Sequence, residues 1–211
     1  MTKRTRTRAP DETRQKILFT AFEEIHLHGF RASSLDAIAA RAGVTKGALY
    51  HHFPKKAALG HAVVEEVIRE PLLAAYLEPL RQALRSDADD PIRAIQDALR
   101  RRADDFEAGG VELGCPLNNL AQELSPLDEA FRARVATVLE AWIDEFAGGL
   151  TRAQARGFLR PEVDAHRVAS FMVAAIEGAF GVAKNAMSVE LLRSNLETLA
   201  DFLDTLRVAA G

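Results

Sequence analysis

The chain has 211 residues, 48% of them apolar, which is enough to bury the core of one ordinary domain or of two small ones. Its charge is uneven: residues 1–60 carry 11 Lys and Arg against 5 Asp and Glu, a formal +6, whereas residues 61–211 carry 16 against 25, a formal −9. This asymmetry predicts that residues 1–60, the head, bind a polyanion and that residues 61–211, the body, do not.

Several classes of protein are excluded at this level. Cys115 is the only cysteine, so no intrachain disulfide can form. The basic N-terminus is not followed by the apolar segment of a secretory signal, and no apolar run approaches the roughly 18 residues of a membrane span. The adjacent His51 and His52 diverge by about 100° on a helix, so no metal site is expected. We expect a cytoplasmic protein without a cofactor.

Nearly every segment has a helical pattern. The first helix is predicted to begin near Pro10, because Asp11 and Glu12 favour a helix start, and to end at Gly29. Residues spaced three and four apart give it one apolar face, formed by Ile17, Leu18, Ala21, Phe22 and Ile25.

Two short helices follow. Ser33 or Ser34 is the predicted N-cap of the second helix, and Gly43 its left-handed C-cap. Thr45 is the predicted N-cap of the third, which runs from Lys46 to about residue 53 and is ended by Pro54. Two short helices joined by a tight glycine turn and preceded by a longer helix indicate a DNA-binding helix-turn-helix.

A fourth, long helix is predicted to start at Lys55, with breaks at Pro71 and Pro79. Beyond the polar linker "SDADDP", the predicted helices cover 91–108, 116–124, 127–157, 162–187 and 189–208, with a bend or a split at Gly148-Gly149 in the third of these. We therefore expect an all-α protein with a helix-turn-helix domain at 1–54 and a helical ligand-binding and dimerisation domain at 55–211.

The start of the third helix has the residues that a DNA reader needs. Thr45, Lys46 and Gly47 are either small or long and cationic, so the helix can approach base edges in the major groove. Tyr50 and His51 can donate to phosphate oxygens, and Lys55 places a cation at a helix start. The arm with Lys3, Arg4, Arg6 and Arg8 can follow the DNA backbone or enter a minor groove.

The stretch "SSLDAIAARAGVTKGALYHHFPKKAAL" resembles the DNA-binding signature of the TetR/AcrR family of bacterial transcriptional regulators, over about residues 13–61. The resemblance implies an all-helical homodimer with three N-terminal helices on DNA. It also implies base and phosphate contacts at Ser34, Thr45, Lys46, Gly47, Tyr50, His51 and Lys55. Many relatives have "LYYHF" or "LYHYF" where this chain has "LYHHF", which leaves the role of His51 open.

Two C-terminal helices are candidates for the dimer interface. The helix at 162–187 is apolar on more than one side, and leucines recur at intervals of four and three in the last helix, at Leu192, Leu196, Leu199, Leu203 and Leu206. Such helices either form a four-helix interface between two subunits or belong to the core of one chain. We expect the dimer.

The effector site is predicted from residues that are unusual in their helices. Asn118, Asn119 and Gln122 place amides at i, i+1 and i+4 on an otherwise apolar helix, where such groups either orient a ligand or join helices. Glu177 is a carboxylate among alanines and aromatic residues. Cys115, at a helix N-terminus, is either a reactive thiol with a lowered pKa or a small buried apolar residue. The candidates are Phe106, Cys115, Asn118, Asn119, Gln122, Trp142, Phe146, Met172, Glu177 and Phe180.

These features predict a regulator rather than an enzyme, because no catalytic arrangement accompanies Cys115. The expected function is that of a repressor whose homodimer binds a palindromic double-stranded DNA operator and releases it when a small apolar or electrophilic effector binds. The alternatives are an activator or a ligand-independent DNA-binding protein of the same fold.

Overall fold

A computed structural model describes residues 8–71, 73–74, 78, 90–105 and 111–209. Those ranges are helical, with an isolated antiparallel bridge between Leu159 and Arg207 and no strand elsewhere in them. The predicted all-α fold class is therefore confirmed. No helix in the described ranges combines the length and the apolar character that crossing a membrane requires.

The helices follow one another in the order that the sequence predicts. In the N-terminal part they are α1 (Arg8–His28), α2 (Leu35–Ala42), α3 (Lys46–His52) and α4 (Lys56–Ala62), which continues into a π-helical turn at Val63–Ile68. The later helices are α5 (Pro91–Asp105), α6 (Pro116–Leu124), α7 (Glu129–Ala155), α8 (Ala165–Ala186) and α9 (Val189–Asp204).

Side-chain caps place the short helices as predicted. Ser34, not Ser33, is the N-cap of α2, because its hydroxyl accepts a hydrogen bond from the N–H of Ala37. Gly43 ends α2 in the left-handed conformation at φ 62°, and Thr45 caps α3 by accepting from the N–H of Ala48. The ends of α2 and the start of α3 are thus fixed by interactions between residues that are close in sequence.

Several helix bounds and breaks differ from the prediction, most clearly in α7, in α9 and in the helix after Lys55. The helix α7 runs without a break through Gly148-Gly149, and α9 ends four residues early, at Asp204, since the chain then turns to place Arg207 beside Asp90 at 2.6 Å. The helix after Lys55 widens into the π turn before it reaches Pro71. The break expected at Pro79 lies outside the described residues.

One compact unit consists of the described residues up to Glu70 together with Asn119–Val135. Its core contains the predicted apolar face of α1, with Ile17 and Ala21 fully buried, and Leu49 of α3 is also fully buried. Phe30, in the turn after α1, lies edge-on to Phe131 with ring centroids 5.0 Å apart. Arg14 on α1 donates two hydrogen bonds of 2.6 Å to Glu66 in the π turn.

The second unit contains the described residues of Pro71–Asn118 and those from Ala136 onwards. Its helix α9 packs on α5 and α8, and the buried Gln96 side chain donates to the carbonyl of Ala200 at 2.8 Å. The two compact units differ from the expected domains, whose boundary lies between residues 54 and 55. That boundary separates two expected functions, and it stays a prediction.

Gly60 is required by close packing in the first unit. A Cβ atom at this position would lie 2.6 Å from the Phe131 ring and closer still to Phe30. We expect Gly60→Ala to lower the free energy of unfolding by about 1–3 kcal/mol, since extra atoms in a packed core force neighbours to shift. The matched control is Gly148→Ala, where a Cβ meets only Arg152 at 3.9 Å.

Urea unfolding of both variants measures the difference. The control should be unchanged or more stable by up to about 1 kcal/mol, because alanine favours a helix over glycine. Equal stability of Gly60→Ala and the unchanged protein would contradict the close packing.

Candidate nucleic-acid interface and buried polar site

The helix-turn-helix exposes all seven predicted DNA contacts. Ser34, Thr45, Lys46, Gly47, Tyr50, His51 and Lys55 are all solvent-exposed. On α3 the exposed residues surround Leu49, which is fully buried and fixes the rotation of the helix. The Tyr50 side chain is 47% exposed, so its phenol group is available to an external acceptor.

Lys46 has a partner in the same motif. Its Nζ donates to Asp36 on α2 at 2.7 Å, and this hydrogen bond raises the pKa of the lysine. Both side chains are more than half exposed, and exposed pairs of this kind contribute little to stability. Lys46 therefore stays charged near the start of α3 and can exchange Asp36 for a phosphate or a base at low cost.

The two lysines at the start of α4 have different environments. Lys55 is the exposed N-cap residue of α4, whereas Lys56 turns towards the α1–α2 turn, where its Nζ donates to the carbonyl of Arg31 at 3.1 Å. Lys55 is therefore the lysine available to a phosphate group. In the basic arm, Lys3, Arg4 and Arg6 lie outside the described residues, and of Arg8 only the backbone is described.

The second unit contains a buried thiol and a buried carboxylate. Cys115 directly precedes α6 and is 5% exposed, and Glu177 on α8 lies close enough for each group to alter the pKa of the other. Both carboxylate oxygens of Glu177 are buried, and no described residue donates a hydrogen bond of regular geometry to them. The pair is thus a polar site within an apolar core.

The pKa values follow from burial. Desolvation raises the pKa of Glu177 to about 7, against the smaller lowering effects of Cys115 and of the Arg102 cation. Burial, and then the Glu177 charge, raise the pKa of Cys115 well above its usual range, although the N–H groups of Asn118 and Leu117 favour the thiolate. The hypothesis of a lowered thiol pKa is therefore wrong, because burial outweighs the effect of the helix N-terminus.

The other predicted pocket residues are divided by the fold. The four large apolar candidates are buried at 2% exposure or less, namely Trp142, Phe146, Met172 and Phe180. Of the amides, Asn118 belongs to the second unit, whereas Asn119 and Gln122 belong to the first, and Gln122 is exposed. Phe106 lies outside the described residues. The fold thus places the four apolar side chains, Cys115, Asn118 and Glu177 in one unit but not Asn119 and Gln122.

Two residues near these sites were not predicted. Arg102 on α5 lies over the Phe180 ring at 5.9 Å and lowers the pKa of Glu177. Glu123, in the last turn of α6, accepts hydrogen bonds from backbone N–H groups of the α1–α2 turn. A carboxylate near a helix C-terminus is unfavourable beside the helix dipole, so its position was a usable signal that it has a partner.

An exposed apolar groove lies along α8 and α9. It has a volume of about 420 Å³ and is lined by Phe171, Ala175, Gly178, Ala179, Val182, Asn195, Thr198, Leu199 and Phe202. Phe171 and Val182 are each 53% exposed. The predicted leucine seam is mostly elsewhere, since Leu192, Leu196 and Leu203 are fully buried in the chain's own core.

Among the described residues, no group of three or more His, Cys, Asp or Glu side chains has the arrangement of a metal site.

Two family models match the chain. Residues 17–63 match the bacterial regulatory proteins of the tetR family, and residues 91–197 match the C-terminal domain of LmrA/YxaF-like transcriptional regulators. The first match covers the helix-turn-helix and the start of α4. The second covers α5 to the middle of α9, including both members of the Cys115–Glu177 pair.

Individual relatives agree with these matches. The chain is 30% identical to the transcriptional regulator AcuR of Cereibacter sphaeroides, over 90% of this chain and 85% of that protein. It is 27% identical to the HTH-type transcriptional repressor DhaR of a Mycobacterium species, over 72% of each chain. A crystal structure of a TetR regulatory protein from Rhodobacter sphaeroides is 29% identical and superposes with a TM-score of 0.76, over 89% of this chain and 96% of that one.

Glu177 should make stability depend on pH. Its folded pKa of about 7 lies above the ordinary 4.5, so between these values the folded state binds more protons than the unfolded state. Stability is therefore highest below about pH 4.5 for this group and falls as the pH rises through 7. We expect Glu177→Gln to gain about 1–3 kcal/mol relative to the unchanged protein between pH 5 and pH 8.

Urea unfolding at the two pH values measures this gain. Glu162→Gln is the matched control, because it makes the same substitution at an exposed glutamate outside the Cys115–Glu177 pair. Parallel stability profiles for Glu177→Gln and the unchanged protein would show that the carboxylate is not desolvated.

Proposed function

The chain belongs to the TetR family of bacterial transcriptional regulators, and from this membership we propose that it is a homodimeric repressor that releases its operator when a small effector binds. Regulators of this family are typically repressors. The observation that supports the proposal most directly is the helix-turn-helix, where Leu49 of α3 is buried and Lys46, Gly47, Tyr50 and His51 of the same helix are exposed.

We propose that α3 reads the operator. Thr45, Lys46 and Gly47 enter the major groove with the N-terminal turn of the helix, since this turn has no bulky side chain that would keep the backbone away from base edges. Tyr50, His51 and Lys55 contact phosphates, and Ser34 does so from the start of α2. The formal +6 of residues 1–60 supports this role, because phosphate contacts dominate affinity for DNA.

We propose that the α8–α9 groove is the dimer interface. A palindromic operator needs two reading heads at a fixed separation, so two copies must associate firmly. Phe171 and Val182 expose apolar area that a second copy would cover, and Gly178 permits a close approach of the helices. The buried leucine seam then supports the interface from inside the chain.

We propose that the effector binds in the second unit near Cys115 and Glu177. Buried polar groups in an apolar surrounding fix the orientation of a ligand, and the Glu177 oxygens have hydrogen-bonding capacity to offer. The effector would favour a conformation that separates the two heads differently, and a coupling of about 1–3 kcal/mol weakens DNA binding about 5- to 150-fold. The helix α4, which follows the head directly, is the expected lever.

Selection of DNA fragments by the purified protein tests the reader. We expect a palindromic site whose affinity falls steeply with salt, and Lys46→Ala should weaken binding about 10- to 100-fold because a dimer loses two contacts. Arg152→Ala is the control, since Arg152 is an exposed cation on α7 that belongs to the second unit and not to the helix-turn-helix. Equal, weak binding to all fragments would refute a specific repressor.

Light scattering of the purified protein tests the interface. We expect twice the mass of one chain, and Phe171→Lys with Val182→Lys should reduce it to that of one chain because charges on the groove cannot be buried. Leu127→Lys is the control, as Leu127 is 66% exposed but lies outside the groove. A dimer that survives the double substitution would place the interface elsewhere.

A further inference from the structure

Asp36 is an acidic residue within the basic helix-turn-helix. It is the only Asp or Glu between Glu24 and Glu65 in the sequence, and the same segment carries five Lys and Arg. A carboxylate on a surface that binds DNA repels the phosphate groups and lowers the affinity for DNA of any sequence. The presence of Asp36 therefore needs an explanation other than affinity for the DNA backbone.

Asp36 forms an exposed pair with one of the predicted base contacts. It lies in the first turn of α2, two residues after the N-cap Ser34, and its Oδ2 accepts a hydrogen bond of 2.7 Å from Nζ of Lys46, the first residue of α3. The Asp36 side chain is 57% exposed and that of Lys46 is 67% exposed. The pair thus joins the starts of the two helices at the surface of the motif.

Both members of the pair can bind a third group without breaking their own bond. A lysine ammonium has three N–H donors, and the bond to Asp36 uses one of them. Asp36 accepts from Lys46 through Oδ2, and a carboxylate can accept further hydrogen bonds at its other oxygen. The pair therefore presents donors beside an acceptor, one hydrogen-bond length apart.

This arrangement is complementary to the major-groove edge of a G·C base pair. Guanine presents two adjacent acceptors, N7 and O6, and the N4 amino group of cytosine is a donor beside them. A base-pairing hydrogen bond joins O6 to N4, so these atoms are about 2.9 Å apart. Lys46 Nζ and Asp36 Oδ2 have nearly the same spacing, at 2.7 Å. Lysine is a common partner of guanine O6 and N7, and aspartate accepts from cytosine N4.

An A·T base pair fits the two side chains less well. It also has a donor beside an acceptor, but the N6 amino group of adenine separates the two acceptors, adenine N7 and thymine O4. A lysine therefore cannot donate to two neighbouring acceptors. The thymine methyl group lies next to O4 and would place an apolar group against an ion pair. The pair of Asp36 and Lys46 thus favours G·C over A·T.

We propose that Asp36 is a specificity-determining residue of the DNA reader, and that Asp36 and Lys46 together read one G·C base pair in each half of the operator. Lys46 donates to guanine, and Asp36 accepts from the amino group of the paired cytosine. The proposal rests on the proposed function and deepens it, because it adds a base contact from α2 and names the base pair. The repulsion between Asp36 and phosphates then lowers the affinity for DNA that lacks this base pair.

Fragment selection with variants tests the assignment. We expect the unchanged protein to select a G·C pair at one position in each half-site. Both Asp36→Ala and Lys46→Ala should relax the preference at this same position, since the two side chains read one base pair. Glu23→Gln should leave it unchanged. This variant is the control because it also removes a carboxylate from an exposed ion pair of the first unit, and the partner Arg41 keeps Glu24.

Dissociation constants give the size of the effect. Replacing the G·C pair by A·T in both half-sites should weaken binding of the unchanged protein about 25-fold or more, because each mismatched pair costs about fivefold or more. In Asp36→Ala this loss should be smaller by about fivefold or more. A duplex without the site should bind Asp36→Ala about two- to tenfold more tightly than the unchanged protein, since a charge that repels phosphates is absent. Glu23→Gln should stay within about twofold of the unchanged protein on all three duplexes.

A purely structural role of Asp36 gives a different result. A carboxylate in the first turn stabilises a helix through the helix dipole, and the loss of this effect alone would weaken binding to all DNA without changing the base preferences. That result would overturn the proposal, as would selection of A·T at the position, or relaxation of different positions by Asp36→Ala and Lys46→Ala. If Asp36→Ala does not fold, Asp36→Asn, which keeps the shape of the side chain but not its charge, is used with the same directions of change expected.

The outcomes separate this proposal from the proposed function. If the unchanged protein selects no DNA site, both fail. If it selects a palindromic site in which no base pair responds to Asp36→Ala, the proposed function stands and only the role of Asp36 fails.

Discussion

Phe30 lies edge-on to Phe131, and Gly60 leaves the space that both rings occupy. This packing joins the turn after α1 to α4 and to the first turns of α7, which are far apart in sequence. The orientation of the helix-turn-helix depends on it, because α2 begins only a few residues after Phe30. A short helix-turn-helix has little core of its own, so its stability depends on packing against further helices, here α4 and the first turns of α7.

The packing of Phe30 on Phe131 stabilises the fold, whereas the burial of the Glu177 carboxylate lowers its stability. A carboxylate whose oxygens are buried loses its hydration, and an apolar residue of similar size would avoid this loss. The fold tolerates the group because its pKa is raised to about 7, so that protonation near neutral pH removes the charge. This cost is the reason for our proposal that the effector binds near Glu177.

Much of the structure could be predicted because its signals are local. Ser34, Gly43 and Thr45 define the ends of α2 and α3 through bonds to neighbours in sequence, and Leu49 is buried as its spacing predicts. The contacts of Glu123 could not be predicted, because its partners lie more than ninety residues away and are backbone atoms without a sequence signal. The choice between the two readings of Cys115 could not be made for a related reason, since the burial of Cys115 depends on helices that the local pattern does not describe.

The sequence by itself determined the all-α class, the order of the helices, the helix-turn-helix with the exposed face of α3, and the family. These follow from residue periodicity, capping and charge, which act over a few positions. Only the tertiary structure decided which side of α8 and α9 is left exposed, that Cys115 lies against Glu177, and that Glu123 holds the α1–α2 turn. Such features depend on how helices pack, and packing compares surfaces that the chain brings together only on folding.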